Sequence, residues 1–452
     1  MNSQQAFGVI ERVASHSGRN DKVAILAEHK EDEFFKRVLV YALDPTITYG
    51  VKALPETIES PGNTRMFNDA TFDLLDKLKS RHLTGDAAIE AIQNELSALE
   101  PASELLLRRI ILRDFRAGFS ESTVNKAIKG LIPEFPYMRC CLPKDAKFDT
   151  WDWELGVFSQ QKEDGTFTYI DVDANGEVTG RSRQGTPLPL EKFKGLRERL
   201  GQVLALNSET SGELLVLIRG EIAPREIGNG IITSVVEGGE FEDDQVPIYV
   251  AWDQVPLELV GPGLKYKVEY SVRFERLSSQ IEAADDSRIL LVPTRIVHSY
   301  EEATAHFREL VLQRKEGTVM KEPNAPWVDS TSKFQVKRKI TAECDLKIVG
   351  FEPGKGKNEA TFGSLICETS DETLRVSVSG FKDALRADIH ANRDAWLGSI
   401  ITVKFNTIMY ASEEGKKHSL FLPRFAERRI DKTEADSFER VQEQFEAAIN
   451  EI

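Results

Sequence analysis

A lysine amine, carboxylates at strand ends, an aromatic ring and two groups of cations are the parts needed to attack and stabilise a triphosphate, and this chain carries them in order. The lysine is Lys162, in Lys162-Glu163-Asp164-Gly165. After it come Ser182-Arg183, Gly220-Glu221, Tyr249 with Trp252-Asp253, Glu316-Gly317-Thr318-Val319-Met320-Lys321, Lys337-Arg338-Lys339, and a last cluster of Arg424, Arg429, Asp431 and Lys432. Taken singly, each is ordinary. Asp-Gly makes a tight turn beside a solvated lysine, a strand-ending Gly-Glu is commonly a wet edge, and a strand tyrosine is more often core than platform. As a set they are specific. A lysine attacks only as the free amine, so it needs desolvation or neighbouring positive charge, which Lys321, Lys337 and Lys339 could supply. Glu221 and Glu316 offer hard oxygens suited to Mg²⁺, which bridges one or two carboxylates to phosphate.

Such groups need a scaffold. The chain of 452 residues, 41% hydrophobic and 29% charged, is too long for one core and implies two or three domains. No run of eighteen apolar residues occurs, and Met1-Asn2-Ser3-Gln4-Gln5 lacks the regions of a signal peptide, so a cytoplasmic protein without a membrane segment is expected. The four cysteines, at 140, 141, 344 and 367, include no Cys-x-x-Cys pair of the structural-zinc kind. A net charge of -15 argues against a protein that coats nucleic acid nonspecifically. A local basic surface survives: residues 108 to 144 hold eight basic residues, among them Arg108, Arg109, Arg113, Arg116, Lys126 and Lys129, against three acidic ones.

The elements follow from apolar spacing. Residues 1 to about 140 read as helical, as in Phe34-Phe35-Lys36-Arg37-Val38-Leu39-Val40, with helix starts at Thr84-Gly85-Asp86 and Ser120. Pro133, Pro136 and Pro143 mark the exit from that region. From about 148 short strand-like runs such as 167–172 and 214–218 alternate with helices at 189–205 and 300–314, predicting a mixed α/β layer. After 340, runs at 345–351, 364–368 and 400–405 suggest a small all-β module with Lys355-Gly356-Lys357 in its first turn, closed by an acidic amphipathic helix at 433–452. The expectation is a multidomain α+β chain with boundaries at 1–145, 146–340 and 341–452.

The ordered motifs resemble those of ATP-dependent polynucleotide ligases, specifically the bacteriophage T4-type DNA ligases, over nearly the whole chain. Lys162 to Gly165 matches Lys-x-Asp-Gly, Glu316 to Lys321 matches Glu-Gly-x-x-x-Lys, Lys337 to Lys339 matches Lys-x-Lys, and Arg429 to Lys432 matches Arg-x-Asp-Lys. Leu83 to Glu90 and Gly130 to Glu134 resemble the amino-terminal DNA-binding region of that group. The resemblance implies a helical DNA-binding domain, an adenylation domain and an OB-fold β-barrel. It implies ATP and Mg²⁺ as cofactors and nicked duplex DNA as the partner of a monomer, in the host cytoplasm if phage-encoded. It assigns Lys162, Asp164, Lys337 and Lys339 to catalysis, and Glu221, Glu316 and Asp164 to metal. Gln160, Gln161, Arg183, Glu221, Tyr249, Glu316, Lys321, Lys337, Lys339, Arg429 and Lys432 would hold the nucleotide, with Tyr249 stacked on adenine. Arg108, Arg109, Arg113, Arg116, Lys126 and Lys129 would hold DNA.

Two positions depart from the family pattern. Phe167 stands where an arginine usually follows Asp-Gly, and Thr331 where T4-type enzymes carry an arginine before Lys-x-Lys. Arg181 or Arg338 is then the cation expected to cover those contacts, or DNA ends are held less tightly. The rival readings are an RNA ligase or capping-type nucleotidyltransferase, which the helical amino-terminal region disfavours, and a non-catalytic nucleic-acid clamp, which the intact Lys162, Glu221, Glu316 and Lys337 disfavour.

Overall fold

The computed structural model describes residues 1–51, 54–55, 65–354, 358–411 and 415–450, so the Lys355-Gly356-Lys357 turn lies outside the described residues. Two compact units divide the chain. Met1–Tyr137, Gly165–Lys265 and Leu277–Leu290 form the first, and Met138–Asp164, Tyr266–Arg276 and Leu291–Ile452 form the second.

In the first unit, helices Ser3–Ala14, Arg19–Ala27, Glu33–Leu43, Asp69–Lys79, Gly85–Ala98, Pro101–Ile111 and Glu121–Ala127 enclose one apolar core. Their spacing explains it: on Glu33–Leu43 the residues Phe35, Val38, Leu39 and Ala42 fall on one stripe and all are buried, each large one contributing about 1.5–3 kcal/mol. Asn2, Asp32 and Asn68 cap their helices by accepting backbone N–H groups. Thr84 and Ser120 occupy the expected N-cap positions, but neither hydroxyl makes a capping bond.

The same unit contains an antiparallel sheet in the spatial order Gln245–Pro256, Ser208–Ile218, Thr166–Val172, Val178–Ser182, Pro187–Leu188. Its register decides which side chains share a face. Phe167 lies opposite Glu213, Tyr169 opposite Ser211 and Arg181, and Asp171 opposite Glu209. Because directly opposed residues point the same way, these residues line one face, while Thr168, Thr210, Gly212 and Leu214 line the other.

In the second unit, a five-stranded sheet runs in the order Arg139–Cys141, Thr331–Lys339, Gly317–Lys321, Val157–Gln161, Thr294–Val297. Helix Tyr300–Leu312 covers one face, where His306 meets Ser159 at 2.8 Å and Arg338 donates to Thr304 at 2.9 Å. Tyr270 and Phe274 pack edge-on against Phe158 on the opposite face.

A second five-stranded sheet follows, in the order Arg375–Val378, Phe362–Glu368, Ala342–Pro353, Ile400–Phe405, Arg424–Arg429. Among the described residues its outer strands meet at one parallel bridge, Ser379 with Arg424, so the expected β-barrel is a curled sheet rather than a closed ladder. Leu346, Ile348, Phe362, Leu365, Val403 and Phe405 fill it, and the carboxyl-terminal helix Phe438–Asn450 adds Val441. Asp345 on this sheet is nearly enclosed, accepting from Thr402 and pairing with Arg429 at 2.7 Å and with Lys432. Burial pushes its carboxyl up, but the Lys432, Thr402 and Arg429 partners outweigh burial and hold it below the ordinary range.

A carboxyl depressed in the folded state adds stability above its unfolded pKa of about 4, and that stability is lost as pH falls through the folded value. Asp345→Asn is therefore expected to cost about 1–3 kcal/mol at pH 7. Thermal midpoints of variant and parent should draw together as pH falls below the ordinary carboxylate range and Asp345 becomes protonated in the folded state; a gap that stays constant as pH is lowered through that transition would contradict the assignment.

Candidate nucleotidyl-transfer site

Lys162 follows the strand Val157–Gln161, and its backbone N–H donates to Gly317 O at 2.9 Å. That bond places the side chain beside Glu316, with which it forms an ion pair whose carboxylate is about one-tenth exposed. The neighbouring ladder sets Lys337 opposite Val319 and Lys339 opposite Gly317, so both lysines share a face with Lys321. Burial lowers the Lys339 pKa below lysine's ordinary range; Glu316 opposes this, while Lys162, Lys337 and Arg424 add to it. Glu316 thus pairs with Lys162, and Lys339 sits among the charges of Glu316, Lys162, Lys337 and Arg424. Asp164 is half-buried nearby, and burial pushes the adjacent Glu163 carboxyl up.

Gln160 lies on the same face, but its amide is occupied. It is 1% exposed and donates to Tyr270 Oη at 2.8 Å and Thr294 Oγ1 at 3.2 Å. Lys321 likewise donates to Tyr270 Oη at 3.1 Å and lies over that ring, 3% exposed. Gln161 belongs to the opposite face by strand alternation and donates to Glu163 at 2.8 Å, against the expectation that it holds nucleotide.

In the first unit, the sheet face bearing Phe167 also carries Glu213, which the register sets directly across from it. Trp252 joins them: the ladder bulges between Ser211 and Gly212, Trp252 is the extra residue, and its ring comes within 5.6 Å of Phe167. Arg183 lies over the Phe167 ring at 5.0 Å and over Tyr137 at 4.7 Å. Asn229, on helix Arg225–Val236, pins the start of the Phe167 strand by hydrogen bonds with Thr166 Oγ1 at 2.9 Å and Gly165 O at 3.3 Å. Gly165 is required by close approach, since a Cβ there would stand 2.3 Å from Leu214 O.

Several expectations are corrected. Tyr249 is fully buried, donates to Thr168 O at 3.1 Å and Thr210 O at 2.7 Å, and lies over Gly212, on the face opposite Phe167. It is a core residue with no ring face for adenine, and Trp252 is the half-exposed aromatic of that strand. Glu221 is exposed in a two-residue strand paired back onto Ile218, eight residues past the Gly212-Glu213 pair. Glu213 was missed because Gly-Glu occurs four times, at 176, 212, 220 and 239, and the pair at 220 ends an apolar run. Arg429 and Lys432 are engaged by Asp345, and Arg429 also by Asp431.

Neither substitute cation covers its gap. Arg181 pairs with Glu209 and Asp171, while Arg338 turns toward Tyr300, Thr304 and Phe307. Burial, with the Asp171 and Asp253 carboxylates and against Arg181, pushes Glu209 up to about 8. Thr331 is instead registered against Arg139 of the adjoining strand. Of the basic residues assigned to DNA, Arg108 is taken by Glu104 and Pro55 O, Arg109 by Glu11 and Phe115 O, and Arg113 by Ile47 O and Asp44 O. Arg116, Lys126 and Lys129 are exposed.

Among the described residues no group of three or more His, Cys, Asp or Glu is arranged to hold a metal ion. The carboxylates beside Lys162, Glu316 and Asp164, fit a hard divalent ion that completes its shell with phosphate oxygens and water, as Mg²⁺ does. No helix among the described residues is long and apolar enough to cross a membrane.

The chain is similar to several known proteins. A family model described as a DNA ligase OB-like domain matches residues 353–428. Proteins named DNA ligase from Enterobacteria phage T4 and Enterobacteria phage T6 are 28% and 29% identical to the chain, spanning 96% of it and 97% of each relative. The solved structures named Pmar-Lig_PreS3 and Pmar-Lig_Pre share its fold, with TM-scores of 0.74 and 0.75 at 24% identity over 94% of this chain and 99% of theirs. The chain is thus similar from end to end to proteins named DNA ligase from two phages of the T4 kind, and part of its last sheet matches a DNA ligase OB-like domain.

Proposed function

We propose that this chain seals nicks in duplex DNA through a lysine-bound AMP, and the observation that carries the reading is the Lys162–Glu316 ion pair beside Gly317, whose carbonyl accepts from the Lys162 backbone and whose ladder partner is Lys339. Lys162 Nζ attacks the α-phosphorus of ATP, forming a P–N bond as the bond to pyrophosphate breaks. The AMP then passes to the 5′-phosphate of the nick, regenerating the lysine. The 3′-hydroxyl attacks that activated phosphate and expels AMP, leaving a phosphodiester.

The protein's contribution is positioning and charge neutralisation. Lys337 and Lys339 neutralise charge on the phosphate under attack, and Glu316 orients the amine. Arg183 and Glu213 supply phosphate and ribose contacts, and Trp252 rather than Tyr249 supplies the aromatic face for adenine. Glu316 and Asp164 would hold Mg²⁺, which would supply further positive charge at the phosphates. Arg116, Lys126 and Lys129 contact the DNA backbone. The chain acts as a monomer in the cytoplasm of the cell where DNA is replicated, repaired and recombined.

Incubation with α-labelled ATP and Mg²⁺ should give label that survives denaturation, and Lys162→Ala should abolish it. Equal labelling of parent and variant would sink the mechanism, and preference for GTP would redirect it toward capping chemistry. Glu213→Gln should lower single-turnover labelling or sealing roughly 10²-fold, the scale of losing one preorganised polar contact. Glu221→Gln should stay within about twofold; the reverse order would restore Glu221 to the site.

A further inference from the structure

The family arginine after Asp-Gly is absent, and Phe167 occupies its place beside Arg183, just past the end of the strand Val178–Ser182. We propose that Phe167 and Tyr137 form an aromatic clamp that positions the Arg183 guanidinium for a substrate phosphate, so that an apolar ring replaces the missing cation by holding the cation that remains. This rests on the ligase reading above.

Four observations support it. Arg183 has no carboxylate or hydrogen-bonding partner among the described residues, whereas Arg181, two residues earlier, is bound by Glu209 and Asp171. An arginine held by ring faces keeps all its N–H donors available for a phosphate, while one held by carboxylates does not. The rings brace one another, with Tyr137 and Phe167 edge-on at 5.2 Å, and Phe167 is flanked by Tyr169 at 4.9 Å and Trp252 at 5.6 Å.

The backbone carrying Arg183 is fixed as well. Ser182 N–H donates to Thr186 O at 2.8 Å, and the Thr186 hydroxyl donates to Pro45 O at 3.3 Å. Gly185, at φ +89°, lies so close to Phe135 that a Cβ would stand 2.1 Å from the ring. The tripeptide Phe135-Pro136-Tyr137 therefore touches the arginine turn through Phe135, accepts from Tyr169 Oη through Pro136 O at 3.3 Å, and supplies one jaw of the clamp.

The test is a double-mutant cycle on the full chain, using Phe167→Leu and Arg183→Ala. One arm reads single-turnover labelling by ATP, and the other reads sealing of a nicked duplex by enzyme already carrying AMP. The arm in which Arg183→Ala is slower identifies whether the phosphate belongs to ATP or to the DNA end. In that arm Phe167→Leu should slow the parent roughly three- to tenfold, the scale of one cation–π contact plus lost orientation, and should do nothing further once Arg183 is alanine. Phe167→Tyr should rescue, Tyr137→Leu should reproduce the cycle, and Phe167→Arg should slow the reaction by setting two guanidinium groups side by side. A loss that persists undiminished in the Arg183→Ala background, or a gain with Phe167→Arg, overturns the clamp. Absence of labelling in the parent would overturn the ligase reading instead.

Discussion

The register of three strands carries the chemistry of this protein. Val157–Gln161 pairs with Gly317–Lys321, which pairs with Thr331–Lys339, and the Lys162–Glu316 ion pair forms at one end of that ladder, with Lys337 and Lys339 on its third strand. Side chains alternate along a strand, so a slip of one residue between the last two would carry Lys337 and Lys339 to the helix-covered face and bring Arg338 forward. Both faces oppose that slip. Arg338 is held by Thr304, Tyr300 and Phe307, while Gln160 and Lys321 meet at the Tyr270 hydroxyl. Polar anchors on one side and aromatic cover on the other make the register a property of the whole sheet.

A second constraint is the supply of usable positive charge in an acidic chain. Most arginines described above are spent internally, closing loops through carbonyl oxygens or neutralising buried carboxylates. Arg113 ties down Asp44 O and Ile47 O, and Arg273, 1% exposed, ties down Val268 O and Ala325 O. Counting basic residues in a segment therefore overstates its attraction for phosphate. What matters is how a cation is held, and Arg181 and Arg183 show both outcomes within three residues.

The mixed α and β character of the fold was legible in the sequence because helical and strand periodicities differ. Within the site, legibility followed the strength of local signal. Lys162, Glu316, Lys337 and Lys339 sit in motifs whose spacing matches the ladder that unites them. Tyr249 and Trp252 could not be told apart, because a bulge between Ser211 and Gly212 breaks the alternation that would have sorted them by face. Glu213 was hidden by Glu221, since nothing local says which Gly-Glu lies across from Phe167. Asn229 was invisible because its partners, Gly165 and Thr166, lie more than sixty residues away.

Tyr249 and Gly212 also limit how such a chain can vary. The tyrosine ring covers the glycine so closely that a Cβ at 212 would stand 2.4 Å from it. The two positions are one steric unit shared between neighbouring strands: side-chain volume can be gained at 212 only if it is given up at 249. Substitutions at these two positions are therefore coupled in sequence drift, and a change at the buried tyrosine reaches Glu213 through the backbone of the glycine before it.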